Sequence, residues 1–539
     1  MSSEQKSSAA KSLVLSFYTF LSRILGLVRD HFMAVTFGTG WVASAFSVAY
    51  RLPNMFRNLL AEGTLSQSFM PIYSEAEKTN LKEASLTAGT ILTFLFSFLS
   101  VFVSLFILFA PYFIPVLSGG TEEYSGLIIR LSVILFFLIL TASLSSVFMA
   151  ISNLSHKYFV PSLSPIILNM SYLVAFFFIL PNFAEMQTKV NVLCYCIVAG
   201  GVLQLLIQSF YVYRLGRFPI LSFDWKHHSI GKIFKLMIPA AVGGGFYQIG
   251  LLVDIFLANY IQNQNPGLGA VVSLDYAQRL VQFPTGIIGV ALATTTLPTL
   301  LSSLRKNEME KIPAELSEVI SFTLFLTVPA GLAFILAGRP IIDSIFHGGR
   351  WTDSSTDSTL PALQFYSAAI PFFSLNKIMT SSYYAFQDTK TPLKMNFIAF
   401  IINMILNGFL IFPLKHAGLA LSSATASVCT FSFLVYHLKK HSVHLPIGGV
   451  MKRASRFIVP ITAFIAVLLL MQNFIFITFL NAIKSYGYSH ANANRLYLCL
   501  LIPVSASAYF SASYLAKLDE FQIIFGKVLK KLRKKNQDI

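Results

Sequence analysis

SVAYRLPNMFRNLLAEGTLSQSFMPIYSE, residues 47–75, has a counterpart in SLDYAQRLVQFPTGIIGVALATTTLPTLLSS, residues 273–303. Tyr50 stands with Tyr276 and Pro71 with Pro298. Each segment is long and apolar enough to cross a bilayer, yet each carries arginine: Arg51 and Arg57 in the first, Arg279 in the second. The surrounding chain supplies the setting. Of its 539 residues 55% are hydrophobic and 12% charged, with a mean hydropathy of +0.67, which is too apolar for a water-soluble class. Apolar stretches recur from about residue 12 to residue 515, and the polar segments between them stay under about 25 residues, so a sizeable soluble domain is excluded. Pro and Gly are scattered through these stretches without the ten-residue alternation of a membrane barrel, so the spans are helices. The fold class is an all-α integral membrane protein.

Fourteen spans are read, near 12–38, 41–74, 85–116, 125–152, 158–181, 190–213, 234–260, 269–301, 314–337, 359–387, 392–413, 417–438, 455–480 and 494–516. With the N-terminus inside, and with the charges in the first three residues of a span counted with the adjoining loop, the even-numbered loops and both tails hold 27 Lys and Arg against 6 in the odd-numbered loops. The positive-inside rule then places both termini in the cytoplasm. The two quoted segments are the second and eighth spans. Six is an even offset, so the copies share an orientation and imply parallel six-helix lobes around a central cationic cavity. The division expected is 1–220 for the first lobe, 221–440 for the second, 441–516 for two extra helices and 517–539 for a basic tail. That tail, Lys527 to Lys535, is expected on anionic lipid headgroups rather than nucleic acid, since no folded reader module accompanies it. The first apolar block carries arginines and lacks a small-residue cleavage site, so no removable signal peptide is expected.

Four arginines decide the function class. An Arg at mid-bilayer costs about 2.5 to 3.5 kcal/mol, so Arg23, Arg29, Arg57 and Arg279 uncompensated would cost roughly 10 to 14 kcal/mol. That rivals the about 5 to 15 kcal/mol stability of a typical domain. They must face water, counter-charge or an anionic ligand. The acids at hand, Asp30, Glu62 and Asp275, leave a cationic excess. Guanidinium binds phosphate oxygens bidentately, so the set reads as a site for a phosphate or diphosphate headgroup. Arg23 and Arg29 lie about 240° apart on a helix and share a face only if it bends, which Gly26 permits. Pro53, between Arg51 and Arg57, is expected to interrupt the second span, and the Gly243–Gly245 run offers another place for adjustment.

Cys194, Cys196, Cys429 and Cys499 all lie in apolar blocks and read as small packing hydrophobes, not a disulfide or zinc framework. No phosphate-binding Gly loop, metal-ligand cluster or nucleophile–base pair is found, so an enzyme is not expected. Asp254 within a span needs a proton or a cation.

The arginine-bearing segments carry a family resemblance. SRILGLVRD at Ser22, RLPNMFRNLLAEGTLSQSFMPI at Arg51, DYAQRLVQFPTGIIGVALATTTLP at Asp275 and YAFQDTKTP at Tyr384 resemble the signature segments of the bacterial lipid II flippase (MurJ/MviN) family. The likeness runs from about Lys11 to Leu438. It implies the multidrug/oligosaccharidyl-lipid/polysaccharide exporter fold, with two six-helix lobes and two extra helices forming a lipid-facing groove. It implies a monomeric transporter in the bacterial inner membrane serving peptidoglycan synthesis, cell-wall growth and cell shape, with transient contact to the cell-wall synthesis machinery. The implied substrate is lipid II, the undecaprenyl-diphosphate-linked precursor, moved to the periplasmic leaflet by alternating access.

Carried over by position, the resemblance makes Arg23, Arg29, Arg57, Arg279, Asp30 and Glu62 substrate-binding residues. Many relatives have acids where this chain has Ser44, Gln278 and Gln282. Some members hold sodium at positions matching Asp254, Asn403, Asn407 and Ser423; Asn407 replaces a second carboxylate, which weakens such a site. No cofactor is expected to be required, and without ATP chemistry the drive is expected from the membrane potential, an ion gradient such as sodium, or substrate mass action. Two other classes compete with this reading: a cation-coupled multidrug or other polyprenyl-linked oligosaccharide exporter, and a non-transporting scaffold for cell-wall enzymes. The arginines speak against the drug exporter and the buried charges against the scaffold.

Overall fold

A computed structural model describes residues 3–60, 64–224, 226–265, 267–475, 479, 490–523 and 525–526. Those residues are helical almost throughout. The elements are α1 (Ser3–Phe37), α2 (Trp41–Leu60), α3 (Thr64–Thr79), α4 (Leu81–Ser118), α5 (Glu122–Leu135), α6 (Phe137–Leu154), α7 (Phe159–Val174), α8 (Met186–Arg214), α9 (His228–Gln264) and α10 (Ala270–Pro284). They continue with α11 (Val290–Arg305), α12 (Ile312–Leu336), α13 (Gly338–Phe346), α14 (Asp353–Ala368), α15 (Ile370–Ala385), α16 (Lys390–His437), α17 (Ile447–Ser455), α18 (Ile458–Leu470) and α19 (His490–Leu515). Among the described residues eight helices, or nine with the bent pair Ile447–Ser455 and Ile458–Phe474, are long and apolar enough to cross a membrane. The 48-residue α16 holds two of the stretches read as spans, because Lys415, at φ 52°, turns the chain between them. A Cβ on Gly418 would come within 2.3 Å of the Leu410 carbonyl, so the two arms approach through that glycine.

Helix α4 illustrates how the local sequence sets an element. Asn80 caps its start by accepting from the Glu83 N–H at 2.7 Å. Gly119, at φ 55°, ends it with its N–H on the Pro115 carbonyl. At 38 residues it is about 57 Å long, well beyond the roughly 30 Å apolar layer. Its first half is buried, and its second half bares Leu105, Leu108, Phe109 and Val116 as a lipid-facing surface would. An extended connector crosses the buried half: Ile220 donates to the Ser85 carbonyl at 3.0 Å, and Thr93 donates to the Ser222 carbonyl. A Cβ on Gly89 would overlap the Ile220 carbonyl, so only glycine lets this connector lie flat.

The chain forms two compact units, 1–272 with 349–351, and 273–348 with 352–539. In the first unit α3, α4, α6 and α9 share a core that includes Phe69, Tyr73, Ala88, Ile91 and Phe148. Helix α9 packs on α2, α3 and α4, so it sits with the first unit, whereas a division of the sequence at residue 220 puts it with the second. The second unit has two cores. One joins α11, α12, α15 and α16 around Leu316, Met379 and Tyr383. The other seats α18 and α19 on α12 and α13, with the Tyr509 hydroxyl on the Phe325 carbonyl at 2.7 Å.

Helix α2 runs unbroken across Pro53, where interruption was expected, and α1 and α9 stay helical through Gly26 and Gly243–Gly245. A single glycine keeps both its hydrogen-bonding groups, and one proline removes only one bond. The irregular turns lie elsewhere, as π-helical segments at Ala175–Ile179, Thr285–Gly289 and Met471–Ile475. The second of these lies between Tyr276 and Pro298, which are one residue further apart than Tyr50 and Pro71.

Candidate functional site

In the first unit the site is built around Arg29. Its Nε and Nη2 donate to Asp30 Oδ1 at 3.0 and 2.9 Å, and its Nη1 donates to Asn169 Oδ1 at 3.0 Å. Its guanidinium carbon lies 5.2 Å from the centre of the Tyr172 ring. Asn169 and Tyr172 are three apart on α7, so both face α1. Asn169 also donates to the Ser22 carbonyl at 3.1 Å, tying its amide to α1 one turn before and one turn after Gly26. With a charged partner each such bond is worth about 1.5 to 3 kcal/mol, and the ring adds about 0.5 to 2 kcal/mol. The side chains of Arg29 and Asp30 remain 20% and 11% exposed, so the guanidinium is held firmly yet reachable.

The other arginines are placed differently. Arg23 is half-buried on α1, on a different face from Arg29 as the six-residue spacing requires. Arg57 is half-buried in the last turn of α2. Glu62, its expected acidic neighbour, lies outside the described residues, as does the basic tail Lys527–Lys535.

In the second unit Arg279 donates from Nη2 to Asp275 Oδ2 at 3.2 Å, one helical turn away. Its guanidinium carbon is 5.7 Å from the Tyr276 ring centre, and that ring packs edge-on against Phe346. The support is thus of the same kind as for Arg29: one carboxylate and one tyrosine face. The two copies of the repeat do not duplicate the charges. With Tyr50 on Tyr276, Arg279 falls where the first copy has Pro53, and Arg57 where the second has Phe283. Each unit therefore contributes cations of its own.

Of the residues considered for sodium, the structure brings three together. Asn407 Nδ2 donates to Asn403 Oδ1 at 3.2 Å, and Asn403 Nδ2 donates to Ser423 Oγ at 3.3 Å, joining the two arms of α16. A cation there would have to replace those N–H donors. Asp254 stands on α9, in the first unit. Among the described residues no group of three or more His, Cys, Asp or Glu is placed to hold a metal. Ser44, where relatives have an acid, donates to Gln262 Oε1 at 2.8 Å and ties α2 to α9. Gln278 is half-buried and Gln282 exposed on α10.

The motif YAFQDTKTP proves to be a structural clasp. Buried Asp388 accepts from Thr391 Oγ1 at 2.6 Å, the Thr391 N–H at 3.0 Å, Lys440 Nζ at 3.1 Å and His441 Nε2 at 3.0 Å. Burial alone would raise its pKa, but these bonds together hold its carboxyl well below the usual range. It fixes the start of α16 against the segment that follows its end. Sequence reasoning missed Asn169 and Tyr172, which carry no charge. The only signal was a polar amide in an apolar span.

A profile of the family described as "Lipid II flippase MurJ" matches residues 33–486. A Rickettsia prowazekii protein named "Probable lipid II flippase MurJ" is 32% identical over 441 residues, covering 81% of this chain and 85% of its own. A Burkholderia cenocepacia protein named "Lipid II flippase MurJ" is 28% identical over 448 residues, 81% and 85% of the two chains. Among solved structures, "Lipid II flippase MurJ, inward closed conformation" superposes with a TM-score of 0.74 at 22% identity, over 96% of this chain and 100% of that one. An inward-facing multidrug resistance MATE family transporter of the MOP superfamily follows at 0.66 and 13% identity, over 80% of this chain and 96% of that one, a likeness of fold alone. The arginine-bearing helices and the sequence matches converge, and the chain belongs to the lipid II flippase MurJ family, multi-pass proteins of the bacterial inner membrane.

Proposed function

We propose that this protein carries lipid II from the cytoplasmic to the periplasmic leaflet by alternating access, with Arg23, Arg29, Arg57 and Arg279 receiving the diphosphate-linked headgroup. The observation that supports it most is the shared setting of Arg29 and Arg279. Each guanidinium sits within an apolar helix, oriented by one carboxylate and one tyrosine ring. A diphosphate brings two charges and several acceptors, so it competes well with the carboxylate for the same nitrogens. Asp30 and Asp275 then serve as resting partners that keep each cation from lipid until substrate arrives. The sequence holds no residue set for ATP chemistry, so the drive is the membrane potential, an ion gradient or substrate mass action, with Asp254 the coupling residue if sodium is used.

The test is translocation of lipid II in cells depleted of their own flippase, and in proteoliposomes of the purified full chain. The wild type should sustain both. A chain that is inserted at normal levels and yet moves no lipid II would end the proposal. Running the vesicle assay in sodium and in potassium, on wild type and Asp254→Asn, decides the coupling. Equal rates in all four would remove sodium.

Both termini are proposed to be cytoplasmic. In intact cells an impermeant thiol reagent should label Ser354→Cys, between α13 and α15, and spare Ser442→Cys, between α16 and α17. The reverse pattern would invert the topology.

A further inference from the structure

Lys377 is a charge within an apolar span outside the arginine set. It lies midway along α15, whose Ser374, Leu375, Ile378, Met379, Ser382 and Tyr383 are buried. Lys377 and Tyr384, two turns apart on one side of that helix, are exposed. A lysine at this depth would cost about 2.5 to 3.5 kcal/mol if that side faced lipid. Its ammonium donates to the carbonyl of Thr285 at 3.3 Å, near the midpoint of the apolar run Ala270–Arg305. The open side of α15 is therefore one that water or an anionic ligand reaches, not one that hydrocarbon covers.

The acceptor is itself informative. Thr285 begins the π turn Thr285–Gly289, six residues beyond Arg279 on the same span. Gly289, at the other end of that turn, is pressed on Ser374, where an added Cβ would meet the Ser374 Cα at 3.0 Å. Helix α15 thus grips the irregular turn at both ends, once through a glycine contact and once through an ammonium. A neutral carbonyl at 3.3 Å is a long and weak acceptor beside a phosphate oxygen.

We propose that Lys377 is a further headgroup-binding cation, which exchanges the Thr285 carbonyl for an oxygen of the lipid-linked diphosphate. The inference rests on the lipid II reading above and adds to it. The second unit then meets the headgroup with Arg279 and Lys377, and arrival of the anion releases one of the two grips on the π turn.

The experiment uses the full chain in proteoliposomes, with initial flipping rate measured against lipid II content. Lys377→Gln should raise the half-saturating content about tenfold, as expected for one lost charge-assisted bond, with the maximal rate little changed. Lys377→Arg should restore it. If Lys377 only braces the turn, both variants lower the maximal rate and leave half-saturation unmoved, and the proposal fails. A second arm labels Lys377→Cys, in a background without the four native cysteines, with a cationic thiol reagent. Undecaprenyl diphosphate should slow labelling, and undecaprenol should not. Equal slowing by phosphatidylglycerol would assign the cation to phospholipid and overturn the proposal, as would no protection at all. A wild type that neither binds nor flips lipid II defeats the functional reading itself. A wild type that flips while every Lys377 variant matches it defeats only this inference.

Discussion

Replacing Arg29 by lysine should abolish transport although the charge is kept. An ammonium offers one compact donor centre where the guanidinium reaches Asp30, Asn169 and the Tyr172 face at once. Losing about two charge-assisted bonds, each about 1.5 to 3 kcal/mol, corresponds to a fall of about a hundredfold or more in rate. Growth of flippase-depleted cells carrying Arg29→Lys, with insertion confirmed by immunoblot, gives the first readout. The initial flipping rate in vesicles gives the second. A lysine variant within about twofold of wild type in both would show that charge alone suffices and that the fork geometry is irrelevant.

The second large effect belongs to Asn169, which touches the arginine rather than the proposed substrate and acts as a positioning residue. Asn169→Leu keeps the size and removes both the acceptor for Arg29 and the donor to the Ser22 carbonyl. About tenfold or greater loss of rate is expected, together with a lower melting temperature, since two buried groups lose partners. Asn169→Asp separates positioning from packing. It keeps an acceptor for Arg29 but adds a second anion beside a cation already paired with Asp30. Half-saturation should therefore rise more in the Asp variant than its melting temperature falls. An Asp variant with wild-type affinity for lipid II would show that Arg29 does not receive the headgroup.

Some of this was legible in the residues alone. Transfer to a membrane is nearly additive along the chain, so composition and apolar runs were enough to require helices in a bilayer. The repeat could be read because Tyr50 and Pro71 keep nearly the spacing of their counterparts Tyr276 and Pro298, whereas the π turn at Thr285–Gly289 emerges only in the folded chain. The cost of an arginine in hydrocarbon singled out Arg23, Arg29, Arg57 and Arg279 before any partner was known.

Tertiary structure decided what pairs with what. Asn169 lies 140 residues from Arg29 in the chain, and nothing in α7's own sequence says that its amide faces a guanidinium. The same holds for glycines: Gly89 and Gly289 are required by segments packed across them, which their place in the sequence does not show. Asp388 looked like part of a transport motif and instead clasps two loop segments through five donor groups, the Lys390 N–H among them. Hydropathy and charge are properties of single residues and can be summed along a sequence. Orientation, hydrogen-bond choice and close approach belong to pairs of residues, and only the packed chain selects the pairs.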